Sequence, residues 1–476
     1  MITFPGSSFK NLISASSMKR ILHAWLLLIG PWLLMTCSPG TEAQVTADKV
    51  VTVTVDTTKT FQTMVGFGGY NPEKQAERLV NDLGLTIHRG EVGYGFRETP
   101  NGPYNFDKAN DVSGGTANLL RLKQLGVNTF IATLWSPPAW MKENENLRGQ
   151  GDPKNRLKPG MEEALANYCV EYVRQFYERV GLELYALCVQ NEPFFAQPFP
   201  SCVFKPNELP AIMALVGRKL ANATYADGKP VTTRLFGPED VQYFPRISEY
   251  FDNIHANKEA LQYTRFLAVH GYTNDGVKPT DKNPANWRGT YALAQRSGKT
   301  LWMTETSGYS NTWEPAPVFA DGETKTLPGA FGLAENIYTA LKFGNVSAWV
   351  WWRLSVQEDY WIDETLIYKG VPHRFYYTSK QFYRYIRPGA VRVECTADND
   401  DVLTVAFRHP DGSVTLVLMN RGQQPVAIKL AGAGLSRSLK RYQSSPTENC
   451  VTKESITPTD IVTMPGRSVI TLTDVN

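Results

Sequence analysis

From Met64 onward, short apolar runs alternate with longer stretches of helical spacing, and this texture predicts repeated βα units. Eight runs read as strands, at 64–67, 85–88, 129–134, 184–189, 234–236, 266–269, 301–304 and 348–351. Stretches such as 118–125 and 161–178 supply helices between them. Apolar strands of this kind belong to a parallel sheet covered on both faces, and eight of them predict a closed (β/α)8 TIM barrel over 64–386. A helix around 379–386 finishes it, and Arg387-Pro388-Gly389 marks the boundary. Beyond that point Leu403, Val405 and Phe407 alternate with polar or small residues, Asp411-Gly412 makes a tight turn, and 414–419 runs back as the second arm of a β-hairpin. With 468–472 and other short strands this predicts a β-sandwich side domain over 387–476. Residues 51–55 alternate with period two, so they predict a half-exposed antiparallel strand, carried on segment 38–63, that joins the side domain from the other end of the chain.

Composition narrows the functional classes. A chain of 476 residues suits a barrel-sized domain with a companion, and 12% aromatic residues leave tryptophan and tyrosine for a cleft. The net charge of +3 shows no basic stripe or acidic tail, which argues against nucleic acid and anionic membrane surfaces as partners. At the start, Lys19 and Arg20 precede the apolar stretch 21–35, which ends at Met35-Thr36-Cys37. Residues 1–37 resemble a bacterial lipoprotein signal in which Cys37 is lipidated, which predicts a periplasmic or cell-surface protein; ordinary signal cleavage or a membrane anchor are the alternatives. The remaining cysteines, Cys169, Cys188, Cys202, Cys395 and Cys450, are odd in number, so they cannot all pair, and Cys395 with Cys450 is an undecided bridge. No CxxC or HxxxH spacing occurs, so neither a metal site nor a cofactor is expected.

The polar residues at the predicted strand ends gather the chemistry, because barrel enzymes work at that face. They are Gly68-Gly69, Arg89, Trp135, Asn191-Glu192, Glu239-Asp240, His270 with Tyr272, Glu305 and Trp352. Glu192 follows the fourth strand and Glu305 the seventh, so they face each other across the barrel mouth. Two opposed carboxyl groups are what a retaining glycosidase needs, one as nucleophile and one as acid/base. Taken alone, a strand-end glutamate is more often an ion-pair partner. Adjacent Glu239 and Asp240 are a rival pair whose side chains must diverge, which makes them structural or peripheral.

Several blocks then resemble glycoside hydrolase family 30. They are Gln62-Thr63-Met64-Val65-Gly66-Phe67-Gly68-Gly69, Trp135-Ser136-Pro137-Pro138-Ala139-Trp140-Met141-Lys142, Val189-Gln190-Asn191-Glu192-Pro193, Gly237-Pro238-Glu239-Asp240, His270-Gly271-Tyr272, Thr304-Glu305-Thr306 and Ile386-Arg387-Pro388-Gly389-Ala390. The resemblance implies a TIM barrel fused to a β-sandwich, a retaining mechanism on β-linked glycans, Glu192 as acid/base and Glu305 as nucleophile. It also implies that Arg89, Trp135, Asn191, His270, Tyr272 and Trp352 line the site at the sugar that is cleaved. The chain departs from the family pattern in the charge of His88-Arg89-Gly90-Glu91 and in the loop 194–200. Expected substrates are xylan, galactan or glucan. An exo-acting β-glucosidase, β-xylosidase or β-fucosidase is the alternative, favoured if the loop 313–327 closes the pocket. An inert barrel that only binds glycan is the reading outside catalysis.

Overall fold

The computed structural model describes residues 50–111, 114–272, 284–320, 323–357, 364–432, 434–435 and 438–475. The expected signal segment with Cys37 lies outside them. The eight expected barrel strands form, at Gly66–Tyr70, Ile87–Glu91, Thr129–Thr133, Ala186–Cys188, Arg234–Val241, Thr264–His270, Thr300–Glu305 and Val346–Trp351. Each pairs in parallel with its neighbour, and the last pairs with the first. The first two start later than the sequence suggests. Met64 is diverted to the domain junction, where it exchanges backbone hydrogen bonds with Gly389 and Ala390, and Leu85 donates back to Leu79 to close the preceding helix.

Side chains alternate along a strand, so one parity faces the barrel axis. The floor of the axis is apolar: Ile87, Ile131, Ala186, Phe236, Phe266, Trp302, Ala348 and Val350 form one buried cluster. Its centre is the stack of Phe266 on Trp302, with ring centroids 3.8 Å apart, and of Phe236 on Phe266 at 4.8 Å. Continuing the same parity upward gives Arg89 above Ile87, Thr133 above Ile131 and His270 above Phe266 and Ala268. The strand pattern that seals the bottom therefore presents polar groups at the top. Gly68 keeps the first two strands tight, since a Cβ there would meet the Ile87 carbonyl oxygen at 2.5 Å.

Nine strands make up the side domain: Val51–Thr63, Val391–Ala397, Val402–Arg408, Val414–Asn420, Val426–Gly432, Leu439–Ser445, Glu448–Ile456, Ile461–Met464 and Ser468–Thr473. They share one hydrogen-bonded order, yet Ile428 and Met464 near one end share a core with Leu439 and Leu472 near the other, so the sheet closes over as a sandwich. Val51–Thr63 is antiparallel to Val391–Ala397, as its pattern suggests, but parallel to Val426–Gly432. It arrives from the far end of the chain and inserts between two strands instead of extending a hairpin. Cys395 and Cys450 are both free, as is the buried Cys188.

The helices Ala330–Phe343 and Arg374–Tyr383 both pack against the sandwich, and Gln381 is a buried polar contact on the second. Its Nε2 donates to Ser444 Oγ at 2.9 Å and its Oε1 accepts from Thr471 Oγ1 at 2.6 Å, all three groups being buried. Replacing Gln381 by Ala leaves two buried hydroxyls with one partner fewer each. Chemical denaturation should show a loss of about 1–3 kcal/mol for Gln381→Ala.

Candidate active site

The barrel mouth is built around one guanidinium. Arg89, wholly buried, donates from Nε to Glu239 Oε1 at 3.0 Å, from Nη1 to Glu305 Oε2 at 2.5 Å and from Nη2 to Asn191 Oδ1 at 2.8 Å. Four strands are thereby joined at their carboxyl ends. Burial opposes the charge, but the carboxylates of Glu239 and Glu305 outweigh it and hold Arg89 protonated. Glu239 would likewise be raised by burial; Arg89, His270 and Thr133 instead hold it at about 2. Thr133 Oγ1 donates to Glu239 Oε2 at 2.6 Å. The two adjacent acids do diverge, Glu239 inward to Arg89 and Asp240 outward to Arg246 at 3.1 Å. Glu239 is nevertheless central, not peripheral.

Glu192 and Glu305 converge as the strand count requires. One carboxylate oxygen of each, together with a nitrogen of His270, lie within 4.8 Å of one another. His270 Nδ1 is 3.0 Å from Glu192 Oε1 and 3.6 Å from Glu305 Oε1, while Nε2 is 3.8 Å from Glu239 Oε1. Burial would strip its proton, yet the surrounding carboxylates, Glu305 first, raise it to about 10. Arg89 already pairs with Glu305 in this triad, and its positive charge disfavours a metal ion there despite the spacing. Tyr272 donates its hydroxyl to Glu305 Oε1. Because Asn191 Oδ1 faces Arg89, its Nδ2 is turned away and has no protein partner among the described residues. Glu192 sits at φ 42° and Glu239 at φ 55°, left-handed backbone that non-glycine residues seldom adopt. The amide of Glu192 donates to the carbonyl of Glu239 at 2.9 Å, which locks both.

Trp135 and Trp352 stack at 5.6 Å between centroids, and Trp135 also covers the Arg89 guanidinium at 4.5 Å. All eight residues singled out from the sequence thus gather at one mouth. Others were missed. Tyr70, at the end of the first barrel strand, stacks on Trp352 at 4.2 Å. Gln190 holds the Trp135 carbonyl at 2.6 Å, and Gln197 donates to Glu192 Oε2 at 3.0 Å. Gln190 lies inside the Gln-Asn-Glu-Pro block and Tyr70 at a strand end, both readable signals; Gln197 lies in a loop without periodicity.

Glu91 is a further carboxyl at this mouth. It continues the parity of Ile87 and Arg89, is 8% exposed, and accepts from the Tyr70 hydroxyl at 3.2 Å. Burial raises it to about 7 against the opposing pull of Tyr70, Arg89 and Arg353.

A parallel eight-stranded barrel with two carboxyl groups about 5 Å apart at its carboxyl-terminal face is the arrangement of a glycoside hydrolase. Family models agree: residues 117–316 match the glycosyl hydrolase family 30 TIM-barrel domain, and 389–472 match the family 30 β-sandwich domain. The chain belongs to glycoside hydrolase family 30. Among its relatives, a glucuronoxylanase of Bacillus subtilis is 26% identical, the alignment covering 96% of this chain and 98% of the relative. The lysosomal acid glucosylceramidase of Mus musculus is also 26% identical, over 64% of this chain and 59% of the relative. A family 30 endoxylanase structure from Clostridium papyrosolvens superposes with a TM-score of 0.69 at 25% identity, covering 89% of this chain and 99% of that one.

Glu91 gives this site a pH signature in stability. Its folded value near 7 lies above the usual carboxylate range, so the native state binds the extra proton, and stability falls as pH rises from about 4.5 to 7. Glu91→Gln keeps an acceptor for Tyr70 without the charge. Its melting temperature relative to the parent should rise across that window and level off above it, corresponding to at most about 3 kcal/mol.

Proposed function

We propose that this protein is an exported retaining β-glycosidase acting on a β-linked polysaccharide or oligosaccharide of the xylan, galactan or glucan type. The observation that carries the reading is the spacing of Glu192 and Glu305, whose nearest donor atoms lie within 4.8 Å. Double displacement uses carboxyl groups about 5 Å apart, whereas direct attack by an intervening water needs roughly 6.5 Å or more. Glu305, held by Arg89 and Tyr272, attacks the anomeric carbon while Glu192 gives its proton to the leaving oxygen. The contacts support that division: Arg89 donates to Glu305 and not to Glu192, so the carboxylate held by the guanidinium is the nucleophile and the other the proton donor. Once Glu305 is a neutral glycosyl ester, Glu192 takes the negative charge and activates water. The unengaged amide of Asn191 is suited to donate to the sugar 2-hydroxyl, and Trp135, Trp352 and Tyr70 to wall the ring.

The nearly end-to-end match with a glucuronoxylanase, against a partial one with a glucosylceramidase, supports a polysaccharide over a glycolipid. The loop that would favour exo attack forms a largely exposed hairpin, Ala316–Ala320 and Glu323–Leu327, and its root is bonded to the sandwich through Trp313 Nε1 and the Arg467 carbonyl at 2.7 Å. Export rests on Lys19, Arg20 and the apolar stretch before Cys37.

Glu305→Ala and Glu192→Ala should each lower kcat on the cleaved glycan by about 10³-fold or more. Proton NMR of the first product should show the anomeric configuration retained; inversion would refute the double displacement. In a bacterial host, radiolabelled palmitate should enter the parent chain and not Cys37→Ser, and equal labelling of the two would remove the lipid anchor.

A further inference from the structure

The loop that departs from the family pattern begins two residues after Glu192 and carries large apolar rings into solvent. Phe194 is 44% exposed, Phe195 51%, and Tyr243, on the segment after the fifth barrel strand, 54%. Exposed rings this close to a reacting group need an explanation, since burying them would stabilise the fold.

Phe194 and Tyr243 are fixed in place. Asp240, itself buried, accepts from the Phe194 amide through Oδ2 at 3.1 Å and pairs with Arg246 through Oδ1 at 3.1 Å. The Arg246 guanidinium then lies 4.6 Å from the Phe194 ring centroid and 5.6 Å from that of Tyr243. Rings from two loops are thus set against one cation by a buried carboxylate. The far end of the loop is also clamped: Lys142, from the Ser-Pro-Pro-Ala-Trp-Met-Lys block, donates to the Ser201 carbonyl at 2.7 Å, and Gln197 returns to Glu192. Little side-chain entropy is left to lose when a ligand stacks there.

Beside Phe194 opens a cavity of about 420 Å³. Val203 and Pro206 line it together with Lys205, Asn207, Glu249 and Asn253. An apolar wall with amide and charged groups around it matches a pyranose, which has an apolar face of C–H groups and a ring of hydroxyls.

We propose that Phe194 and Tyr243 form a stacking platform for the sugars on the leaving-group side of the scissile bond, with the cavity beside Phe194 accepting a further unit. The side is given by Glu192, two residues before Phe194, so the proposal rests on Glu192 being the proton donor. Glycan extending past the cleaved bond leaves the barrel mouth across these rings.

Binding tests the platform apart from turnover. The full chain carrying Glu305→Gln is run in gels containing xylan, glucuronoxylan, β-1,6-glucan or β-1,6-galactan, and compared with the same chain also carrying Phe194→Ala and Tyr243→Ala. At least one polymer should retard the first chain, and affinity for it should fall about tenfold or more in the second. Both rings are half exposed, so the thermal melting curves should coincide, which separates lost binding from lost fold. Equal retardation of the two chains overturns the proposal, as does retardation by none of the polymers. So does sedimentation with phosphatidylcholine vesicles that the two substitutions abolish, which would assign the face to a lipid aglycone. If the parent enzyme hydrolyses none of the polymers yet the aromatic substitutions still abolish retardation, the catalytic reading falls and the leaving-group assignment with it, while glycan stacking on these rings stands.

Discussion

A positive charge sealed inside the barrel mouth organises everything above it. A guanidinium cannot shed its proton, so the fold that buries Arg89 must surround it with acceptors or lose several kcal/mol. Glu239, Glu305 and Asn191 are those acceptors, each at the end of a different strand. The constraint runs both ways, because carboxylates at such depth are tolerable only beside a cation. Removing the guanidinium would strand two buried anions. Removing Glu239 would leave Glu305 as the only carboxylate paired with Arg89, and the proposed nucleophile would become a structural counter-ion. Glu239 has no direct part in the proposed chemistry, yet it lets Glu305 have one.

His270 repeats this logic on the other side. Three carboxylates keep it protonated in a place where burial would make it neutral, and it spans the gap between Glu192 and Glu305. In the proposed double displacement a proton leaves Glu192 as the negative charge on Glu305 disappears into an ester, so the net charge of the two carboxyl groups is conserved through the first step. A low-dielectric site penalises any intermediate in which that charge changes, and this one avoids it.

How much of this was legible in the sequence follows from what periodicity encodes. The barrel could be read because its strands are short apolar runs at regular spacing, and the strand count alone put Glu192 opposite Glu305. Boundaries slipped where a residue serves two structures, as Met64 does at the domain junction. Arg89 could be located but not weighed: a strand-end arginine has many fates, and only three-dimensional closure brings Glu239 to it from 150 positions away. For the same reason adjacency could show that Glu239 and Asp240 diverge, leaving them structural or peripheral, but not that Glu239 turns inward to Arg89. Gln197 could not have been found, since its loop obeys no period and its partner is set by the path the loop takes. The parallel pairing of the first sandwich strand was equally hidden, because period-two alternation marks a strand with one buried face, usually antiparallel, and does not show that one of its two neighbours runs parallel.

The two departures from the family pattern fall on opposite sides of the proposed reaction, and this gives them a common meaning. Glu91 lies at the Tyr70–Trp352 wall, with one carboxylate oxygen occupied by Tyr70. The loop with Phe194 lies beyond Glu192. The loop reaches the buried carboxyls only through Gln197 and Glu192, and Glu91 hydrogen-bonds Tyr70 and not Arg89, so both departures leave the Arg89 ion pairs themselves intact. A barrel whose chemistry is fixed by buried ion pairs can change what it recognises only at residues outside those pairs. The inner network therefore accounts for membership of the family, and the distinctive residues around it are where choice of sugar and linkage can be made.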